Sequence, residues 1–307
     1  MYEKLVIVTR RTRLADLVVR FNTRGQARFY IEHAGGDFSE YEREDEAYRR
    51  ALDDVRRAAD VGLKVQLLDR ELVPTYLFSP QDLIVTLGQD GLVANVAKYV
   101  GGQPIVAVNP DPARFDGILL PFLAADMRPA LLDVLHGRAT TVEITLAEAR
   151  LNDGQRLLGF NDLFLGAATH VSARYRLTVG GRSEPHSSSG LLVATGAGST
   201  GWLSSMFNMA AGVAAIAGGS SGTPLRLAWD DRRLVFVARE PFVSRHSRAE
   251  IVAGVLAAGE TLTLESTMPS GGVIFSDGVE ADRLAFNAGA IATVGIAPER
   301  ARLVVKP

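Results

Sequence analysis

The sequence changes texture near Thr140, and that change limits the fold more than any single motif. Before it, β-rich runs alternate with helix-like stretches. Residues 5–8, 64–68, 83–87 and 105–108 read as strands, and residues 14–21 as a helix with Leu14, Leu17, Val18 and Phe21 on one face. Ser39-Glu40-Tyr41-Glu42 has capping-box spacing before a helix that runs to about Ala59, with Ala47, Ala51, Leu52, Val55 and Ala58 inward. Such alternation implies a parallel sheet with helices on both faces. After Thr140, short β-like runs follow one another at 141–146, 157–165, 173–179, 190–195, 225–229, 233–238, 260–265, 272–276 and 288–296. Turn signals such as Asn152-Asp153-Gly154 and Gly180-Gly181 separate them, and only 199–218 looks helical. The expected fold is an α/β N-terminal domain with a parallel sheet (1–130), then a mostly antiparallel β-rich domain (131–307). The last strands can return to the first domain.

Residues 82–100, DLIVTLGQDGLVANVAKYV, combine an apolar run, a glycine turn and an amphipathic stretch. Two glycines let the backbone approach a ligand, and a helix start offers unpaired N–H groups to phosphate. Asp90 inside that turn is placed to take a proton from a hydroxyl, so the segment suggests phosphoryl transfer to an alcohol. The same residues also read as a structural turn with Asp90 as a helix cap. Ligands on parallel sheets bind at the carboxyl ends of strands, where Gly88–Gly91 (88–91) and Asn109-Pro110-Asp111-Pro112 both fall.

Composition narrows the classes. The formal net charge of -2 argues against a general nucleic-acid or membrane-surface binder. With no cysteine, thiolate chemistry and disulfides are excluded, which fits a cytoplasmic location. The histidines are scattered and no metal ligands are assigned. No apolar stretch reaches membrane-spanning length.

Two motifs tempt other readings. Gly196-Ala197-Gly198-Ser199-Thr200-Gly201 is a literal G-x-G-x-x-G, but no acidic residue lies between Gly201 and Trp229 to hold a ribose. Ser199 with Asp230 and His246 has the chain order of an α/β-hydrolase triad, but the neighbouring sequence reads as antiparallel rather than parallel sheet. Asn161-Asp162 interrupts an apolar run, as a turn or as a clamp for substrate hydroxyls. Ser276-Asp277-Gly278 reads as a hairpin turn.

Taken in order, these pieces resemble the NAD kinase family, within the wider group of lipid- and sphingosine-type kinases. Gly88-Gln89-Asp90-Gly91-Leu92 is similar to its Gly-Gly-Asp-Gly-Thr turn, and Asn161-Asp162 to its Asn-Glu or Asn-Asp pair. The run Thr195 to Trp202 is similar to Thr-Pro-Thr-Gly-Ser-Thr-Ala-Tyr, and Asp277-Gly278 to a late Asp-Gly turn. The resemblance implies ATP or polyphosphate as donor, Mg²⁺, and the 2′-hydroxyl of NAD as acceptor. By the same resemblance Asp90 is the general base, and Gly88, Gln89, Gly91 and Leu92 form the phosphate turn. Asn161, Asp162, Thr195, Gly198, Ser199, Thr200 and Asp277 bind the nucleotide substrate. The expected partners are a small-molecule nucleotide and copies of the chain in a homo-oligomer, with no nucleic acid and no membrane. Gln89, Leu92 and Ala197 depart from the family pattern, which leaves open a kinase for a sugar, nucleoside or lipid hydroxyl, or an inactive nucleotide sensor. Arg10, Arg11, Arg13, Arg24 and Arg28 are a further departure, read by default as solvated charge and otherwise as phosphate ligands.

Overall fold

Two six-residue runs, 82–87 and 104–109, are buried at every position. Burial at every position, in runs this rich in apolar residues, belongs to strands covered on both faces. The computed structural model describes residues 2–219 and 222–306, and the chain divides into two units, Met1–Val142 with Arg302–Pro307, and Glu143–Ala301.

In the first unit β1 (Lys4–Thr9), β2 (Lys64–Asp69), β3 (Asp82–Leu87) and β4 (Pro104–Asn109) pair in parallel in the order β4-β3-β1-β2. A two-residue β5 (Phe122–Leu123) adds to β4. The helices are α1 (Arg13–Phe21), α2 (Arg24–His33), α3 (Phe38–Ala58), α4 (Asp90–Ala97) and α5 (Met127–Leu135). Leu5, Ile7, Val85 and Val106 form one core with Tyr48, Ala51 and Val55 of α3 and Met127, Leu131 and Val134 of α5. Val6, Ile84 and Ile105, of opposite parity, are equally buried on the other face. The cap of α3 is Asp37 rather than Ser39: its carboxylate accepts from the Ser39 amide at 2.8 Å, so the helix starts earlier than the capping-box spacing predicts.

In the second unit β6 (Thr140–Leu151, which begins in the first), β7 (Arg156–Gly159), β9 (Ala173–Val179), β10 (Arg182–Ser188), β14 (Leu262–Ser266) and β17 (Ile291–Val305, which ends in the first) belong to one sheet. β8 (Asp162–Ala167), β11 (Leu191–Ala194), β12 (Leu234–Ala238), β13 (Ala253–Leu256), β15 (Gly272–Ser276) and β16 (Val279–Ala285) form the other, in the order β13-β12-β11-β8-β15-β16. Every pairing within this second sheet is antiparallel. Side chains from both sheets, among them Leu163, Tyr175, Val193, Phe236, Leu264 and Val294, share one core. The helix α6 (Trp202–Ile216) packs Leu203 and Met206 on Leu192, Ala194 and Val235, the opposite parity of β11 and β12.

The α/β domain and the antiparallel β-rich domain are therefore both present. Three expected runs differ. Residues 157–165 break into β7 and β8 at Phe160 and Asn161. Residues 225–229 form no strand, because Leu225 and Leu227 pack under α6 instead of pairing. The helix expected from Ser199 starts at Trp202, after a 3₁₀ turn over Ala197–Thr200.

Candidate functional site

The first unit gathers one group of candidates at the carboxyl end of its sheet. β3 ends at Leu87, the Gly88 amide donates to the Val108 carbonyl, and Gln89 caps α4 with no side-chain hydrogen bond. Asp90 is therefore the first residue of the helix rather than its cap. One of its oxygens accepts the Leu119 amide at 2.6 Å, which ties the 110–119 loop to the turn. Among the described residues its second oxygen has no hydrogen bond, and the residue is half-buried. The two glycines do different things. A Cβ on Gly88 would lie 2.7 Å from the Leu92 side chain, whereas one on Gly91 would meet nothing within 4 Å. Gly88 is a packing requirement set by buried Leu92, and Gly91 faces open space.

Tyr48 of α3 braces this edge: its hydroxyl accepts from the Arg10 amide at 2.9 Å and donates to the Leu87 carbonyl at 3.1 Å. Burial pushes that hydroxyl up to about 12, so it remains a donor across the physiological range.

The second unit gathers the other group. Asp277 and Gly278 have φ of 54° and 68°, and Ser276 pairs with Val279, so the late Asp-Gly is the two-residue turn of the β15–β16 hairpin. That turn aims the Asp277 carboxylate at the break between β7 and β8. It accepts from the amides of Phe160 (3.0 Å), Asn161 (2.6 Å) and Asp162 (3.4 Å), while the Asp277 amide donates to the Asp162 carbonyl at 3.1 Å. Thr195 closes the break from the other side: its hydroxyl donates to the Phe160 carbonyl at 2.5 Å and accepts from the Gly198 amide at 3.2 Å.

Asn161 is half-buried and Thr200 exposed, whereas Asp162, Thr195, Gly198 and Ser199 are buried. Burial, and after it the charge of Asp277, pushes the Asp162 carboxyl up to about 7. The Ser199 hydroxyl donates to the Gly196 carbonyl at 2.7 Å. Neither Asp230 nor His246 is among its partners, so no nucleophilic triad is built on it. The literal G-x-G-x-x-G is equally local. A Cβ on Gly198 would lie 2.0 Å from the Asn161 carbonyl oxygen and one on Gly196 1.8 Å from that of Ala228. These glycines let backbones touch, and β11 before them is antiparallel to both of its neighbours. Beside them Trp202 stacks on Phe164 at 5.7 Å, with the Arg239 guanidinium 5.2 Å from the indole centroid.

Whole-chain comparison gives this arrangement a context. Yeast NADH kinase, solved in complex with NADH, matches 100% of this chain and 84% of its own at 17% identity, with a TM-score of 0.57. The NAD kinase of Archaeoglobus fulgidus, solved with ATP, matches 98% of this chain and 93% of its own at 16% identity, with a TM-score of 0.53. The fold is that of the NAD kinases. No protein-family model and no curated protein sequence matches the chain.

Within this NAD kinase-like fold the sequence candidates fall into two clusters, 88–92 in the first unit, and Asn161, Asp162, Thr195, Gly198, Ser199 and Asp277 in the second. Nothing local in the sequence marks the Asp277 cap on the Asn161-Asp162 backbone, a contact across more than a hundred residues. Nor is the Trp202–Arg239 platform marked there. An Asp-Gly dipeptide signals a hairpin, but nothing local signals what its carboxylate holds. Among the described residues no group of three His, Asp or Glu side chains could cage a metal ion, and no helix is long and apolar enough to cross a membrane.

Proposed function

We propose that this protein is a phosphotransferase of the NAD kinase type, moving a phosphoryl group from ATP or polyphosphate to the 2′-hydroxyl of NAD to give NADP. The observation that carries the reading is Asp90: a half-buried carboxylate with one oxygen anchored and the other unengaged, at a parallel strand end, in a fold of this type. In the reaction Asp90 accepts the proton of the attacking hydroxyl through its unengaged oxygen. Its anchored oxygen fixes the carboxylate's orientation, which is what positioning chemistry of this kind demands. The open side of Gly91 and the uncapped start of α4 receive phosphate oxygens.

Magnesium sites in phosphotransferases use one or two carboxylates together with the donor's phosphates. The ion would be held mainly by the donor's phosphate oxygens and would neutralise charge there, leaving the unengaged oxygen of Asp90 for the proton. On the acceptor side, Asn161 and Thr200 offer amide and hydroxyl groups to a dinucleotide, and Asp162 shapes the clamp from beneath. Asp277 and Thr195 act through the backbone they hold. We include a cytoplasmic, homo-oligomeric enzyme in this reading; sedimentation of the purified chain tests the second part.

A second reading is favoured by one feature. Thr195 and Ser199 spend their hydroxyls on backbone carbonyls, and Ala197 has none, so the segment offers an acceptor few polar groups. That suits an acceptor other than NAD. Incubation with ATP or polyphosphate, Mg²⁺ and NAD, with NADP as readout, decides between them. NADP formation supports the first reading. No NADP, with phosphorylation of another hydroxyl compound from a panel, supports the second.

A further inference from the structure

The arginines after β1 do not share one fate. Arg11 pairs with Glu71, and Arg24 and Arg28 with Glu42, at the surface. Arg10 and Arg13 turn instead to Glu44 of α3, where Arg114 from the loop after β4 joins them. The Arg10 guanidinium lies 3.2 Å from one oxygen of Glu44; the other takes Arg13 and, at 3.9 Å, Arg114. Three guanidiniums thus share one carboxylate, and among the described residues only Arg114 has a second acidic partner, Asp111 at 3.5 Å. The Glu44 side chain is 3% exposed, Arg10 11%, Arg114 28% and Arg13 46%, so the anchor is inside and the cations reach outward.

Stability does not explain the group. A buried ion pair rarely outperforms an apolar substitute, and a third cation on one carboxylate adds repulsion. Burial by itself would raise the Glu44 carboxyl, yet the arginines hold it below the usual range. Donor supply is in excess too. Three guanidiniums carry about fifteen N–H groups, and only a few are used: on Glu44, the Arg11 carbonyl and the Glu40 carbonyl. The Arg10 Nε is buried without a partner among the described residues.

The location supplies the ligand. β1 and β3 are adjacent parallel strands, and a Cβ on Gly88 would lie 3.5 Å from the Arg10 side chain. The cluster therefore borders the glycine turn. The Arg10 guanidinium is also steadied by the Tyr48 and Phe115 rings, at 5.6 and 5.9 Å. Fixed planar forks suit oligophosphate, which presents many paired oxygens and more charge than a single carboxylate.

We propose that Arg10, Arg13 and Arg114, gathered on Glu44, form a subsite for the phosphate chain of the donor beyond the group that is transferred. The chain is that of inorganic polyphosphate or the tail of a nucleoside triphosphate. This rests on the kinase reading for the words "donor" and "transferred", but the anion site itself does not.

The test is calorimetric titration of the full chain with inorganic tripolyphosphate and, separately, ATP, without acceptor. Wild type is compared with Arg13→Ala, Arg114→Ala and the double variant, leaving the more buried Arg10 in place. Each exposed arginine removed should weaken tripolyphosphate binding about 10- to 100-fold, as expected for lost charge-assisted bonds. Arg13→Lys, which keeps charge without the fork, should recover part of it, and Arg24→Ala should bind as wild type. Matching losses for both ligands mean that the phosphate chain alone is read. Losses for ATP with no wild-type binding of tripolyphosphate assign the subsite to a nucleotide tail. Variants that melt normally and bind both ligands as wild type, or a wild type that binds neither, overturn the proposal. In turnover assays the donor KM should rise while the NAD KM holds. A protein that makes no NADP but loses tripolyphosphate binding in the variants keeps the subsite and loses the NAD kinase reading. Normal donor KM and binding in the variants of an active enzyme does the reverse.

Discussion

Asp162 makes the protein's stability depend on pH in a direction opposite to most carboxylates. Its side chain is buried beside Asp277, and burial first, then that neighbour's charge, raises its carboxyl from 3.8 to about 7. In the unfolded chain it titrates near the ordinary value, so folding favours the protonated form. Its stabilising contribution is complete below about pH 4 and is lost as pH rises through about 7. Roughly three units at about 1.4 kcal/mol each give a loss of about 4 kcal/mol across that window. That is a large share of the ~5–15 kcal/mol typical of a folded protein. Urea unfolding of wild type and Asp162→Asn at pH 4.5, 6, 7 and 8.5 measures it, because the other carboxylates cancel in the difference. Asp162→Asn should gain on wild type by an increasing margin as pH rises to about 8 and then level off. A difference that stays flat with pH, or that moves in favour of wild type, refutes the argument.

Asp90→Asn should lower NADP formation by about 10²–10⁴-fold, since the general base is gone. The Leu119 amide keeps an acceptor in the new amide oxygen, so the melting temperature should hold. Gly198→Ala drives a methyl into the Asn161 carbonyl and should cost roughly 1–3 kcal/mol or more in denaturant unfolding. Gly212→Ala, inside α6 with nothing within 4 Å, should instead gain up to about 1 kcal/mol. Gln89→Gly should preserve or raise NADP formation if Gln89 only crowds the phosphate turn. A fall in activity on another acceptor, with no NADP gained, points to Gln89 as an acceptor ligand.

The parallel half was legible because strands buried on both faces are mostly apolar, as in residues 83–85 of β3 and 105–108 of β4. The helix α2 was not legible. Only Ala27 is buried in it, so it carries no apolar stripe to read. The run 225–229 has strand composition, yet its leucines satisfy themselves beneath α6. For the candidate site, the Asp90 turn stood out because strand, glycine and helix adjoin in sequence. The Asn161-Asp162 break reads in sequence as a turn or a substrate clamp, and nothing local shows that its backbone is held by a carboxylate from the β15–β16 hairpin. The role of Glu44 was invisible, since three arginines reach it from two distant segments.

β17 has a consequence for how the chain is made. Its residues Arg302 and Leu303 pair with Pro104 and Ile105 of β4, and Arg302–Pro307 belongs to the first unit. During synthesis this piece leaves the ribosome only after all of Glu143–Ala301. Until then the first unit has an open strand edge at β4, the kind of edge that recruits foreign strands. The nascent protein thus depends on residues translated after the whole second unit to cover the β4 edge of the first.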